Sequence, residues 1–374
     1  MSGKSFNQIE VSLSALRHNY SLLKKLIKRD TKLLAMVKAD AYGHGMLESA
    51  RAFEEAGCRD FGVAEICEAV KLRESGVEGN IFVFLGFSEQ DVSLFFSHNL
   101  IPVIFDIAGA RVLSSEAIIQ NKEITVHVKV DCGMTRLGVM PDELNEFLGV
   151  LATLPGVKYG GLVSHFPRAD EPDSTHTSKQ FLRFKSLEIA NSVPELLTHT
   201  ANSGGILYFS ESNCGMVRAG ISLYGYYPDG EQGVEGAAGE RLRPAMQFNS
   251  RVLQVKTVEA GTGVSYGHTY VTDKKTTIAV LPVGYEDGLS RSLSNKGEVL
   301  IHGRRAPIIG RICMNLCMVD VSAIESVQAG DEVVLLGCQQ NEKITGDAVA
   351  KLMGSISYEV LCLFGNNNQR TYVE

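Results

Sequence analysis

The residues with the most chemistry in this sequence stand at the ends of apolar runs. Leu33, Leu34, Ala35, Met36 and Val37 run without a polar break and stop at Lys38; Asp40, Tyr42, Gly43, His44 and Gly45 follow at once. An unbroken apolar run suits a strand buried on both faces, as in a parallel sheet. Lys38 then stands at the carboxyl end of that strand, where α/β folds place their chemistry. Burial weakens an amine's hold on its proton, so a lysine there can serve as a base or attack a carbonyl. The bland counterpart is a lysine whose stem lies along the strand end while its head reaches water. Further along, Lys129 with Asp131, His165, His199 with Asn202 and Ser203, and Arg218 each stand at or near the end of another strand-like run.

These residues need a scaffold that brings strand ends together. Ile9 to Leu13 is short and extended, and Ser12 or Ser14 is placed to cap a helix reaching Arg29, with Leu16, Tyr20, Leu23, Leu26 and Ile27 on one face. After the Lys38 strand, strand-like runs cover 61–64, 81–85, 101–105, 124–130, 159–164, 196–200 and 216–223. Helical patterns at 47–56, 66–74, 110–119, 144–153 and 180–191 lie between them. Eight strand–helix units in about 220 residues meet the requirement of a closed (β/α)8 barrel of TIM type. An open, doubly wound sheet is the competing architecture, and the convergence of polar residues at strand ends favours the barrel. The stretch from Gly230 to Gly239 has no periodicity and reads as a loop. Beyond Pro244 the chain turns to β character, with runs at 246–258, 276–283, 298–301, 306–309, 318–321 and 331–336, so a mostly β C-terminal domain follows the barrel. The expected division is 11–243 for the barrel and 244–374, with 1–10, for the β domain. Gly261-Thr262-Gly263 lacks the third glycine and the following helix of a phosphate loop, and reads as a turn.

Composition narrows the function. The 374 residues are 44% apolar and 21% charged, which suits a large core, and the net charge of −7 leaves no electrostatic footprint for nucleic acid. Lys24, Lys25, Lys28, Arg29 and Lys32 read as one solvated helix face. The first twenty residues hold no apolar signal core, and no later segment is long and apolar enough to span a bilayer. Eight cysteines show no CxxC pair, and Cys313 with Cys317 lacks further ligands for zinc; a reducing, cytoplasmic setting is the expectation.

Taken in order, LLAMVKADAYGHG, VKVDCGMTRLGV, LVSHFPRAD, HTANSGG, MVRAGISLYG, GVSYGHTY, VGYEDGLSR and GRICMNLCMVDV resemble the motifs of the alanine racemases, over nearly the whole chain. That family uses pyridoxal 5'-phosphate and joins a barrel to a β domain. The resemblance implies interconversion of L- and D-alanine, a source of D-alanine for peptidoglycan. Lys38 matches the lysine that holds the cofactor covalently and serves as one of two bases. Two are needed on opposite faces of the substrate Cα, because a lone base tends to return the proton to the side it came from. Tyr266 matches the second base, reaching the active site from the partner subunit of a homodimer; alone it would read as an ordinary tyrosine. A phenol ordinarily titrates near 10, so this role needs neighbours that stabilise the phenolate, and His165 and Arg218 match them.

Arg218 also matches the arginine facing the pyridine nitrogen. Guanidinium does not surrender its proton, so that nitrogen stays unprotonated and the cofactor is a weaker electron sink, which disfavours transamination. Ser203 and the backbone around Gly204, Gly220 and Ile221 match the phosphate cradle, where barrels commonly hold phosphate. Tyr42 and Tyr358 match its tyrosine ligands, and Asn202 shapes the same turn. Arg136 matches the residue that grips the substrate carboxylate, a task suited to a bidentate guanidinium. Lys129 matches a lysine carbamylated in many members, which orients Arg136; otherwise it reads as a salt bridge to Asp131. Tyr285 and Arg291 resemble residues at the substrate entrance, and Met314 the methionine whose amide faces the carboxylate. The family pattern Cys-Met-Asp-Gln is here Cys313-Met314-Asn315-Leu316, losing a charge at Asn315 and an amide at Leu316. That departure keeps a serine or broad-spectrum racemase open beside an alanine racemase, while Tyr358 argues for a small pocket. A non-catalytic pyridoxal-phosphate module and a barrel decarboxylase would not need Tyr266.

Overall fold

The computed structural model describes residues 5–187, 196–230 and 240–374. The chain divides into two compact units, one of Ala15–Ala41 and Met46–Arg243, the other of Met1–Ser14, Tyr42–Gly45 and Pro244–Glu374. Residues 11–14 therefore belong with the β unit, not with the barrel to which the sequence reading gave them. The reason is pairing across the chain: strand Gln8–Ser12 is antiparallel to Met246–Arg251 and parallel to Gln369–Val373.

In the larger unit eight parallel strands follow one another in chain order: Lys32–Met36, Asp60–Val63, Asn80–Val83, Ile101–Ile104, Ile124–Lys129, Val157–Val163, Leu197–His199 and Met216–Ala219. The last pairs with the first, Lys32 beside Met216 and Ala35 beside Ala219. The amide of Arg218 donates to the carbonyl of Ala201 at 2.9 Å, joining the last strand to the chain just past the seventh. The sheet is closed, which removes the open-sheet alternative. The helix after Ser12 runs Leu13–Leu26 and stops short of Arg29, and Ser12 Oγ lies 3.1 Å from Ser14 Oγ. Helices at Met46–Glu55, Ile66–Glu74, Ile107–Gln120 and Leu144–Leu151 fall on the expected patterns. The pattern at 180–191 corresponds to Thr175–Lys185, with its end beyond the described residues, as is 231–239 of the expected loop.

Leu34, Phe82 and Met216 fill the barrel interior, with Met36, Phe84, Ile101 and Leu197 packed against them. Two glycines make the room. A Cβ on Gly62 would meet Met36 Sδ at 2.5 Å, and one on Gly161 would meet the His127 ring at 2.3 Å. The second glycine sits at a bulge, where register slips so that Val126 faces Tyr159 but His127 faces Gly161. This is how an imidazole fits among the interior side chains.

The β unit holds a seven-stranded sheet, a three-stranded sheet (Gln254–Val258, Thr276–Leu281, Cys317–Asp320) and a short ribbon (Gly263–Val264 with Tyr270–Val271). The expected strand at 246–258 is broken at Val252–Leu253, its halves joining different sheets. Gly261 lies in a turn whose amide donates to Thr272 O. Two helices near the end, Gly346–Met353 and Ser357–Asn367, were not anticipated from the β-rich pattern; the second carries Tyr358.

Candidate active site

In the barrel unit Lys38, Lys129, His199 and Arg218 stand at or next to the carboxyl ends of four strands. Arg218 is 4% exposed and both Nη groups of its guanidinium are anchored. Nη1 donates to His199 O (2.7 Å) and His199 Nδ1 (3.2 Å). Nη2 donates to Ser164 O (2.6 Å), Thr200 O (3.2 Å) and His165 Nδ1 (3.1 Å). The guanidinium carbon lies 5.9 Å from the Phe84 ring centre. Nε–H donates to no protein atom among the described residues, so the fixed guanidinium has one donor left over. Because both imidazoles receive from a group that only donates, each is the neutral Nε2–H tautomer on this side. Burial, with Arg218 beside both, pushes His165 and His199 well below the usual imidazole range.

Lys129 is buried and its amine is pushed down to about 8, by burial first and then by Arg136 and Arg218, with Lys38 adding less. No ion pair joins it to Asp131, contrary to the simple salt-bridge reading. Asp131 is occupied by backbone: Oδ1 accepts from the amides of Gly133, Met134 and Thr135, and Oδ2 from that of Arg136. Burial alone would raise this carboxyl; the four hydrogen bonds hold it below its ordinary value. Asp131 thus shapes the loop that carries Arg136, and leaves Lys129 among cations.

Lys38 follows the first barrel strand, and the backbone after it is unusual. Ala39, Asp40, Ala41 and Tyr42 all have φ between 53° and 55°, a left-handed turn built without glycine. Side chains hold it there. Glu68 Oε1 accepts from the Ala39 amide at 2.7 Å, while Oε2 accepts from Ala64 and Glu65. Asp40 Oδ1 accepts from the amide of Met46 at 2.7 Å.

Asn202 caps the short helix Ser203–Tyr208: Oδ1 accepts from Gly205 N at 3.0 Å and Nδ2 donates to Phe166 O at 3.2 Å. Ser203 Oγ accepts from Gly220 N at 2.9 Å and Ser222 N at 3.4 Å, tying this helix start to the turn opening at Ile221. A Cβ on Gly204 would lie 2.1 Å from Ala169 O, so the backbone here packs closer than a side chain permits. Two loops thus converge with helix starts and small residues, an arrangement suited to an anion.

The β unit presents the remaining candidates. The Tyr42 and Tyr358 rings lie 6.0 Å apart, and burial foremost, then Tyr358 and Cys362, raises the Tyr42 phenol. Gly43 and Gly365 bring that segment against helix Ser357–Asn367; a Cβ on Gly365 would touch Gly43 O at 2.0 Å. Tyr266 is 71% exposed, on a turn whose neighbours Ser265 (φ 61°) and Gly267 (φ 68°) are both left-handed. Ser265 Oγ donates to Arg311 O at 2.6 Å and lies 3.4 Å from Cys313 Sγ, which fixes the turn to the Met314 loop. That loop is pinned in turn by the amides of Tyr285, onto Cys313 O, and Glu286, onto Met314 O, both at 3.1 Å. Asn315 donates to the Glu286 carboxylate. Tyr266, Tyr285 and Met314 are thus held by one braced group of loops, all three exposed. Arg291 is exposed in the adjacent 3-10 turn Arg291–Leu293, which Ser290 caps.

Several residues of this machinery escaped the sequence reading. Asn7 donates to Pro282 O and to Asp287, whose other oxygen accepts from Gly284 N, so the residue just before the first strand braces the Tyr285 turn. Glu68 was visible only as a glutamate three residues after Glu65 at a helix start. His127 shares the parity of Lys129, the one hint that it points inward.

Comparison with known proteins agrees across the chain. Residues 11–228 match the family described as alanine racemase, N-terminal domain, and residues 245–372 match alanine racemase, C-terminal domain. The alanine racemase of Syntrophobacter fumaroxidans is 42% identical over 366 residues, 97% of this chain and 96% of that protein. The alanine racemase structure from Clostridium difficile 630 superimposes with a TM-score of 0.90 at 34% identity, covering 100% of this chain and 97% of that one. That from Bartonella henselae, with covalently bound pyridoxal phosphate, gives 0.88 at 30%, covering 98% and 99%.

Proposed function

The chain belongs to the alanine racemase family, and from that premise we propose that it interconverts L- and D-alanine with pyridoxal 5'-phosphate, Lys38 and Tyr266 serving as the two bases. The observation that carries the reading is Arg218: a buried guanidinium with both Nη groups committed to protein and Nε–H left over, beside a strand end that carries a lysine. A pyridine nitrogen is an acceptor that fits this donor. The close-packed turn at Ser203, Gly204, Gly220 and Ile221 fits a phosphate, with Asn202 as its cap and Tyr42 and Tyr358 as hydroxyl donors. Bound there, pyridoxal phosphate supplies the electron withdrawal that acidifies the α-hydrogen of the substrate.

The rest is the work of this chain's side chains. Lys38 removes or returns a proton at Cα with its amine, on one face. Tyr266 does so with its phenolic oxygen on the other, its charge eased by His165 and Arg218. Arg136 grips the substrate carboxylate, and the Met314 amide faces it. Tyr285, Arg291 and Asn315 line the way in. Lys129, depressed to about 8 among Arg136, Arg218 and Lys38, is a good site for carbamylation, since a partly neutral amine adds carbon dioxide and the resulting anion relieves those cations. Tyr266 stands 71% exposed on its own unit, which supports a homodimer in which it serves the partner's barrel. No disulfide joins any of the eight cysteines and no single helix among the described residues is long and apolar enough to cross a membrane, which accords with a cytoplasmic enzyme. Its product is a D-alanine supply for peptidoglycan.

The test is an absorbance spectrum of the purified protein before and after borohydride, peptide mapping of the reduced adduct, and a racemisation assay with alanine, serine and lysine. Fixation on Lys38 with alanine turned over fastest is the expected result. An adduct elsewhere, or no racemisation, removes the reading; serine turned over fastest replaces alanine with the broad-spectrum alternative raised by Asn315.

A further inference from the structure

We propose that His127 is a positioning residue of this site: it accepts a hydrogen bond from His199 and thereby holds His199 in the one tautomer that can receive the Arg218 guanidinium. The direction of every bond in the chain follows from its first member. Guanidinium only donates, so His199 Nδ1, 3.2 Å from Nη1, presents a lone pair. The neutral ring then carries its proton on Nε2, which lies 2.9 Å from His127 Nδ1. His127 must accept there and keep its own proton on Nε2. Arg218, His199 and His127 are 4%, 0% and 3% exposed, so bulk water does not stand in for a missing partner.

The His127 ring is held in place by its neighbours on several sides. It meets Phe82 edge-on at 5.0 Å and His199 at 5.1 Å. The bulge opposite it and the bare Cα of Gly161 give it room. Burial pushes His127 down to about 4 and His199 lower than the ordinary imidazole range, so both rings are neutral and each tautomer is decided by hydrogen bonding alone. Without an acceptor at His127, the His199 Nε2–H is buried with no partner, which raises the cost of the tautomer that receives the guanidinium and lets the other, with its proton on Nδ1, compete. Arg218 keeps its carbonyl anchors on Ser164, His199 and Thr200 but loses an imidazole, and the spare Nε–H is no longer fixed. The consequence rests on the reading that Nε–H faces the pyridine nitrogen. A mobile Arg218 lets that nitrogen take a proton, strengthening the electron sink and opening transamination, in which alanine and pyridoxal phosphate become pyruvate and pyridoxamine phosphate.

Two variants of the holoenzyme separate positioning from packing. His127→Phe keeps a ring but removes the acceptor, and the ratio of pyridoxamine phosphate formed to alanine racemised is expected to rise roughly tenfold or more. His127→Asn places Oδ1 where Nδ1 stood and is expected to return that ratio to within about threefold of the parent. A second measurement needs no variant: nitrogen NMR of 15N-histidine-labelled parent protein is expected to find His199 protonated on Nε2 and bare on Nδ1. A proton on Nδ1 overturns the proposal, as does an unchanged ratio in His127→Phe, or a ratio in His127→Asn as high as in His127→Phe. Failure of the function itself shows differently, as a parent protein that neither takes up pyridoxal phosphate nor racemises alanine.

Discussion

The barrel unit and the β unit hold their candidate residues by opposite means. In the barrel the decisive groups are buried and face one another: Arg218, Lys129, His165 and His199 crowd together, so each sets the protonation of the next. In the β unit Tyr266, Tyr285 and Met314 are exposed, and what fixes them is backbone, through Ser265 on Arg311 O and the 285–286 amides on the Met314 loop. Electrostatics sets the first group and geometry the second. A buried polar cluster tolerates little, because each member leaves an unsatisfied partner when removed. An exposed residue on a braced loop can be removed without disturbing its neighbours. The two halves of the proposed reaction should therefore fail in different ways.

The largest effect falls on the barrel side. Lys38→Ala should lower racemisation by about 10³-fold or more and abolish the borohydride-fixed adduct. Tyr266→Phe should cost roughly 10²–10⁴-fold in racemisation while the cofactor spectrum stays as in the parent. One enantiomer should still exchange its α-hydrogen with deuterated solvent in that variant; exchange lost from both would break the contrast between units. Gly161→Ala drives a methyl to 2.3 Å from the His127 ring and should destabilise the barrel by about 1–3 kcal/mol in denaturant unfolding.

Lys129 gives the contrast a pH dependence. Its amine is pushed below its ordinary value to about 8, so between about 8 and the unfolded value near 10.5 the unfolded chain binds more protons and stability rises with pH. The cost of the buried charge is fully present below pH 8. Lys129→Met should accordingly raise the melting temperature of the carbamate-free protein below pH 8, with the gain gone by about pH 10. A gain constant across that range would assign the effect to packing. The smallest change is on the β side: Asn315→Asp sets a carboxylate against Glu286 and should lower the melting temperature by only about 1 °C.

The strands of the barrel were readable because each is an apolar run closed by a polar residue, and that signal is local. Strand Gln8–Ser12 is equally plain as a strand, yet its allegiance is set by partners more than 230 residues away, which no pattern near residue 10 encodes. The site shows the same division. Lys38, Arg218 and Tyr266 stand in recognisable stretches. The anchors of Arg218 are mostly carbonyls of Ser164, His199 and Thr200, and a carbonyl has no residue type. Lys129 and Asp131 read as an ion pair because their side chains are complementary; four backbone amides outbid the lysine for that carboxylate. The left-handed turn was invisible because Ala-Asp-Ala-Tyr contains no glycine.

That turn carries a lesson in protein engineering. Non-glycine residues with left-handed dihedrals each cost roughly 1–2 kcal/mol, so the segment after Lys38 holds strain on the order of 5 kcal/mol against the latches of Glu68 and Asp40. A thermostability screen would find glycine at Ala39 or Ala41 attractive, since each removes one residue's share of that strain. The same substitution frees the peptide directly behind the reactive amine. The most inviting place to harden this protein is thus one where hardening it would blunt it.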